Sequence, residues 1–480
     1  MNLVRQTSIY FVANVVSAVF GLANVMIFTR LLPPAEYGVY IIGVGFSAVL
    51  GTLLYTWLKQ AILREEAKGD GTDIRGTILL GFAASALTFP IVYGVAAFVL
   101  KMDTAATLAA TGMTMAVGFF ELGQELARAR LNAKQFMVAT ILRAVLVSIF
   151  GVVITALGGG GVALLLSAAA AFLVGAGLSL RNVWRGAAVR LKDPRFTPLF
   201  IWGLPLTISI SILALSSTLD RFILASLLGS AAAGEYGASV DLVRQALIIP
   251  AISASSAFIP MAVRLLANDG VEAARSHLDA CFELLLAVVL PSCIGFALVS
   301  PYIADLVLGP QFRDTARLVM PAVSIAVIFQ VVTNQYLHIS FLIANRNMFY
   351  MINTVLTLSF NIVAALILTY YFGIAGAVLS RLATEVFATI CAAVLSRFAF
   401  PMPMPLLRLA RVTAATSAMA LAVMALDRLG GMGSATKLAL LIAGGMAGYA
   451  ATCWAFDVAH VRARTKSMIA KLRGSVVPAA

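Results

Sequence analysis

The sequence predicts an all-α, polytopic membrane protein of about fourteen transmembrane helices. Three observations predict it. Of 480 residues, 61% are hydrophobic and only 11% charged, where soluble domains carry about a quarter charged, so the chain needs a bilayer as its solvent. Apolar stretches of about 20 residues, enough to cross a hydrocarbon core, recur along the whole length and leave no room for a large soluble domain. Finally, the Lys and Arg residues collect in alternate hinges between those stretches.

Backbone polar groups cannot stay unpaired in hydrocarbon, so each apolar stretch is expected to be a helix, with Gly, Pro and charge clusters marking the turns. The first six stretches cover 8–32, which Pro33-Pro34 closes, then 37–58, 77–100, 104–121, 138–157 and 162–180, the last two joined across Gly158-Gly159-Gly160-Gly161. The next six cover 206–228, 236–261, 278–299, 318–343, 350–371 and 374–396, and two more cover 407–426 and 438–456. The expected organisation is therefore an N-lobe (1–198), a C-lobe (199–400), and a terminal pair of helices with a basic tail (401–480). The first stretch is too long for the apolar region of a signal peptide and is expected to stay on the protein.

Orientation follows from the 34 Lys and Arg residues. Alternate loops place 24 of them on one side, including Lys59, Arg64, Arg75, Arg128, Arg181, Arg195, Arg346, Arg408 and Arg462. The other side holds Arg30, Lys101, Arg313, Arg317, Arg428 and Lys437, and Arg143, Arg221, Arg244 and Arg381 fall inside spans. Cytoplasmic loops concentrate positive charge, so both termini are expected in the cytoplasm, which requires an even number of spans. The formal charge of +13 is thus a topology signal and does not point to nucleic acid. Cys281, Cys293, Cys391 and Cys453 lie in or beside apolar stretches without metal-ligand spacing and are expected to pack in the core.

An internal repeat is visible. Pro34-Ala35-Glu36-Tyr37-Gly38 between spans one and two is echoed by Ala233-Gly234-Glu235-Tyr236-Gly237 between spans seven and eight, and Leu63-Arg64-Glu65-Glu66-Ala67 is echoed by Val263-Arg264-Leu265-Leu266-Ala267 at nearly the same offset. Six spans per repeat return the chain to the same face, so the halves are expected to be parallel and related by a pseudo-two-fold axis along the membrane normal, as in one recurrent transporter plan.

Three places carry a family resemblance: Thr29-Arg30-Leu31-Leu32 running on to Tyr37-Gly38, Leu219-Asp220-Arg221-Phe222 running on to Gly234-Glu235-Tyr236-Gly237, and two six-helix lobes followed by two extra helices. On these the chain resembles the polysaccharide transporter family of the multidrug/oligosaccharidyl-lipid/polysaccharide exporter superfamily, which includes O-antigen flippases. The resemblance implies a V-shaped pair of lobes working by alternating access. It also implies transfer of an undecaprenyl-pyrophosphate-linked oligosaccharide from the inner to the outer leaflet of a bacterial inner membrane, beside a polysaccharide polymerase and a chain-length regulator. Within the superfamily, a Na⁺- or H⁺-driven multidrug extruder and a lipid II flippase are the alternatives.

Ionisable residues inside spans are costly and usually face a partner or a wet cavity. Asp220 and Arg221 on span seven, Asp241 and Arg244 on span eight, and Arg381 and Glu385, four residues apart on span twelve, are expected to form a charged region in the outer half of the second lobe. Arginine there suits a pyrophosphate; the competing reading pairs Asp241 with Arg244 and Arg381 with Glu385 as structural ion pairs. Arg30, Asn14 and Asn24 are assigned to the same cavity, the two asparagines as part of a polar stripe with Ser17 and Gly21 on span one. Gln330, Asn334 and His338 are spaced as a stripe on span ten, where interhelical hydrogen bonding is the simpler role; His338 and Glu385 are the residues available for proton coupling. Arg143 is expected to snorkel toward the cytoplasmic headgroups. Pro205 and Pro250 are the expected hinges. The glycine run at 158–161 continues as Val162-Ala163, without the Lys-Ser or Lys-Thr of a phosphate-binding loop, so neither an ATP-driven pump nor any cofactor or metal is expected. The longest loops are short and basic, which argues against an enzyme.

Overall fold

The computed structural model describes residues 3–68, 73–99, 103–190, 193–255, 258–429, 433–458 and 461–462. Every regular element among them is helical. The first six spans are Leu3–Leu31 (α1), Pro34–Lys68 (α2), Arg75–Ser85 continued through a 3-10 turn at Ala86–Thr88 into Phe89–Val99 (α3), Thr104–Ala129 (α4), Ala133–Ala156 (α5) and Gly161–Ser179 (α6). After a short helix at Arg181–Trp184 come Phe196–Leu228 (α7), Ser230–Ser255 (α8), Phe258–Val307 (α9) and Arg313–Val332, prolonged through a π turn at Thr333–Leu337 to Ile339–Ile343 (α10). Asn347–Phe398 is broken at Gly373 into α11 and α12; Leu406–Asp427 (α13) and Ser434–Phe456 (α14) complete the order.

Twelve of the described stretches are long and apolar enough to cross a membrane. One of them, Met348–Phe398, holds two spans either side of Gly373, and α8, which carries Glu235, Asp241 and Arg244, brings the described spans to the expected fourteen. Lys101, Lys192 and the tail residues Arg464, Lys466, Lys471 and Arg473 lie outside the described residues.

Breaks and overruns differ from the sequence reading for identifiable reasons. α3 tightens just before Pro90, whose missing N–H removes the bond that Ala86 O would accept. Pro205, Pro291 and Pro321 sit inside continuous helices, and Pro250 falls within Ser230–Ser255. The non-helical residues are instead glycines, Gly270 at φ +87° and Gly373 at φ +59°, a region L-residues avoid. α2 and α4 run about two to three turns past their expected ends because the emerging residues still satisfy one another along the helix, Lys68 with Glu65 at 2.6 Å and Arg128 with Glu125 at 2.6 Å.

The chain divides into two compact units, 1–238 with 308–312 and 365–377, and 239–307 with 313–364 and 378–480. In the first, α2 is central, packing on α4, α6 and α7, and Tyr55, Leu58, Ile62, Ile78, Phe120, Leu126, Leu165 and Leu180 form its core. Lipid tails are as apolar as leucine, so helix association there depends on close packing and interhelical hydrogen bonds. Small residues supply the closeness. A Cβ on Gly38 would strike the carbonyl of Ser230, and one on Gly234 would strike that of Pro34, so the starts of α2 and α8 cross backbone to backbone. These are the two places where the sequence repeats itself. The second unit is organised around α9, which packs on α10, α13 and α14, with Val299, Val423 and Leu441 buried where α9 meets the last two.

Loops at one end of the first unit are tied by a polar network. Arg75 pairs with Asp73 at 2.8 Å and donates to the carbonyls of Val183 and Arg185, while Arg195 pairs with Asp193 at 2.9 Å and donates to the carbonyl of Asp73. Thr77 donates to the same Asp193. At the other end Glu36 accepts from the N–H of Gly161 at 2.6 Å, Gly309 N–H donates to Thr29 Oγ1 at 3.2 Å, and Tyr37 packs edge-on against Phe312 at 5.5 Å. The basic loops between spans two and three and after span six therefore share one end of this unit.

Candidate functional site: polar clusters in each unit

In the first unit an arginine inside the helical bundle meets the polar stripe of α1. Arg143 Nη2 on α5 donates to Ser17 Oγ at 2.6 Å, and its guanidinium lies over the Phe172 ring of α6 at 5.2 Å. Glu121 of α4 is paired with Lys59 of α2 at 2.5 Å, and no carboxylate forms an ion pair with Arg143 among the described residues. Beyond the snorkelling expected of it, Arg143 gives its Nη2 to a neighbouring helix, where a hydroxyl lies within reach. Glu121 is taken up by Lys59, and a neutral hydroxyl does not cancel a guanidinium, so Arg143 brings an excess positive charge into the bundle. Such a cluster suits an anionic ligand.

The other residues assigned to this unit are distributed around the bundle. Asn14 is exposed, and Asn24 is half-buried with its Oδ1 enclosed and unbonded among the described residues. Arg30 is exposed in the last turn of α1, thirteen residues and about 20 Å of helix beyond Ser17, so it is not part of the Arg143 cluster. Asp220 and Arg221 on α7 are buried at 5% and 7% exposure. Tyr236, from the repeated Glu-Tyr-Gly, donates to Asp220 Oδ2 at 3.2 Å, and a Cβ on Gly237 of the same motif would lie 3.7 Å from Arg221 Nε. The two sequence motifs of the second repeat therefore meet in space.

In the second unit Arg381 and Glu385 form an ion pair at 3.1 Å along one face of α12, which is the pairing the simpler reading expected. Asn361 on α11 donates to Thr384 at 3.2 Å, and Thr333 bonds Thr389 at 2.9 Å, so polar side chains run along α12. Asp241 is half-buried and Arg244 exposed on α8. The stripe expected on α10 is split by the π turn at Thr333–Leu337, which changes the facing of the residues beyond it: Asn334 is exposed, whereas His338 is buried against Asn353 at 3.0 Å and the Tyr350 ring at 4.7 Å. No carboxylate contacts His338 among the described residues. Between α9, α13 and α14 runs an apolar groove of about 370 Å³ lined by Pro291, Gly295, Val299, Met419, Val423, Gly445, Met446 and Tyr449. All four cysteines are free thiols, three of them buried.

The sequence model of one family, described as polysaccharide biosynthesis protein, matches residues 27–317. The chain belongs to that family. No curated protein matches it. Among solved structures, the lipid II flippase MurJ in an inward closed conformation superposes with a TM-score of 0.78 at 10% identity, covering 93% of this chain and 98% of that one. An inward-facing MATE family multidrug resistance transporter of the MOP superfamily gives 0.62 at 15% identity, over 83% and 95%. A Vibrio cholerae MATE transporter gives 0.51 at 18% identity, over 82% and 95%. At such identities the likeness is one of fold: this polysaccharide biosynthesis protein has the helical architecture of known flippases and transporters.

The sequence reading of this family member missed the Arg143 cluster. Lys59 counted as a loop marker and Glu121 as the end of span four, although both lie well inside α2 and α4. The available signal was depth: Ser17 and Arg143 each sit within about ten residues of the basic end of their spans, where an arginine can bridge to a neighbouring helix.

Proposed function

We propose that the protein is a flippase that carries an undecaprenyl-pyrophosphate-linked oligosaccharide from the inner to the outer leaflet of the bacterial inner membrane, for synthesis of a surface polysaccharide such as O-antigen, capsule or exopolysaccharide. The observation that carries the reading is the polysaccharide biosynthesis match over 27–317 in a chain whose described residues are almost wholly membrane-length helices. A membrane-embedded member of such a pathway that holds cations inside its bundle is suited to passing a phosphate-bearing lipid through hydrocarbon.

The chemistry divides by unit. Within the first, Arg143 and Arg221 suit phosphate oxygens, with Arg30, Asn14, Asn24 and Asp220 as further polar groups of the same unit. Within the second, Arg244 and Arg381 take that role, with Asp241 and Glu385 as their counter-charges, Glu385 and His338 as the groups available to a coupling proton, and the apolar groove along α13 and α14 as a bed for a polyprenyl chain. The reading assigns no catalytic step, puts both termini in the cytoplasm, and makes a polysaccharide polymerase and a chain-length regulator the downstream partners. The MurJ likeness over 93% of the chain favours one second reading, transport of lipid II itself.

Deleting the gene in its host separates the readings. Accumulation of cytoplasm-facing lipid-linked oligosaccharide with loss of surface polymer, and the same phenotype from Arg221→Ala at unchanged protein abundance, supports the proposal. Growth arrest with accumulated cell-wall precursor supports the lipid II reading. Unchanged polysaccharide with new sensitivity to cationic drugs contradicts both and points to an extruder.

A further inference from the structure

At the basic end of the first unit, where α6 gives way to the short helix Arg181–Trp184, a cavity of about 640 Å³ opens beside the bilayer face of the protein. Its walls are of two kinds. Ala176 and Gly177 of α6 with Phe119 of α4 form an apolar side, and Arg181, Asn182 and Arg185 form a polar one. Trp184 stands between them, stacked on Phe119 at 5.5 Å and 17°. Indole rings favour this depth, where apolar and aqueous surroundings meet.

Both guanidiniums are available. Arg181 and Arg185 are exposed and their side chains make no hydrogen bond or ion pair among the described residues, and no carboxylate lines the cavity. Their backbone, in contrast, is fixed. Arg75 Nη1 donates to the carbonyls of Val183 at 3.1 Å and Arg185 at 2.8 Å, and Gln135 Nε2 donates to Ser179 O at 3.1 Å, so the turn bearing the arginines is held by α3 and α5. The apolar wall is continuous with an exposed apolar face of α6, on which Val174 and Leu178 are 39% and 70% exposed. Neutral lipid would leave two cations at the interface without a counter-ion; a soluble anion would leave the apolar wall uncovered.

We propose that this cavity binds an anionic phospholipid of the leaflet on the basic side, its phosphate between Arg181 and Arg185, its glycerol region against Asn182 and Trp184, and the start of an acyl chain along Gly177 and Leu178. Bidentate guanidinium contacts to phosphate account for the headgroup end, and burial of methylenes for the other. The site is independent of the transported substrate. It ties α4, α6 and the linker into α7 to the composition of the membrane.

Two variants of the full-length protein test it from opposite ends. Arg181→Gln/Arg185→Gln removes the charge, and Gly177→Leu fills the space, since a Cβ there meets nothing within 4 Å. Protein exchanged into phosphatidylcholine nanodiscs, with or without phosphatidylglycerol, is released and its retained lipid counted by native mass spectrometry. The wild type is expected to retain phosphatidylglycerol selectively, both variants to lose on the order of tenfold in that selectivity, and Arg411→Gln, an exposed charge on α13, to keep it. Equal retention in wild type and both variants overturns the site. Thermal stabilisation by inorganic phosphate as large as that by phosphatidylglycerol overturns the lipid assignment in favour of a soluble anion.

Discussion

Arg143 and Ser17, 126 residues apart in the chain, are joined by a 2.6 Å hydrogen bond that fastens α5 to the polar face of α1. A hydrogen bond from a charged group contributes about 1.5–3 kcal/mol, roughly ten- to a hundredfold in rate if it is needed at the barrier. Arg143→Ala is therefore expected to lower export of surface polysaccharide by at least about tenfold, with Arg143→Lys recovering part of it and immunoblots showing unchanged abundance. Full export by Arg143→Ala would remove the cluster from the mechanism.

The crossing of α2 and α8 makes a prediction about stability. Gly38 abuts the carbonyl of Ser230, so a methyl group there must push backbone away from backbone, whereas a Cβ on Gly94 meets nothing within 4 Å. Overpacking of this kind costs about 1–3 kcal/mol. Thermal unfolding of the purified protein should shift down for Gly38→Ala and hold for Gly94→Ala; equal midpoints would mean that the two helix starts can separate freely.

Asp193 gives the loop network a pH dependence. The Arg195 guanidinium, and after it the Thr77 hydroxyl, hold its carboxyl well below the usual carboxylate range, outweighing the burial that opposes them. A folded-state value depressed in this way contributes stability that is full above the unfolded value of about 3.9 and is lost as pH falls through the folded one. The midpoint difference between wild type and Asp193→Asn should be constant from neutral pH down to about 5 and shrink below about 4. A difference that grows on acidification contradicts the assignment.

Topology can be read by labelling. In a background with the four native cysteines replaced, Ala232→Cys at the start of α8 should react with a membrane-impermeant maleimide in intact cells, and Ala187→Cys after the short helix should react only after lysis. The reverse pattern would turn the molecule over and with it the direction of transport.

Much of the fold was legible because the bilayer imposes a length on every span and a charge bias on every loop. The fourteen stretches and the turn at Gly158 follow from those constraints, and the repeat at Glu36 and Glu235 from the self-similarity of the sequence. The breaks were less legible: Gly270 and Gly373 look like any other glycine until their positive φ is seen, and the π turn at Thr333–Leu337 defeats the i,i+4 arithmetic that put His338 on a stripe with Asn334. For the site, spacing along one helix found the Arg381–Glu385 pair, whereas the hydrogen bond of Tyr236 to Asp220 joins two helices and was not legible in the sequence. The Arg143–Ser17 and Lys59–Glu121 pairs each join two helices, and no periodicity within one helix reports a contact between two.

Transport by the purified protein decides whether it is a flippase. Proteoliposomes loaded with an undecaprenyl-pyrophosphate-linked oligosaccharide are exposed to a glycosidase that cannot cross the bilayer, and the fraction of glycan cleaved is followed in time. Glycan of the inner leaflet is expected to become cleavable at a rate set by the protein, and Arg143→Ala and Arg221→Ala to return it to the protein-free rate. Cleavage that stops at the outer leaflet with or without wild-type protein would contradict it.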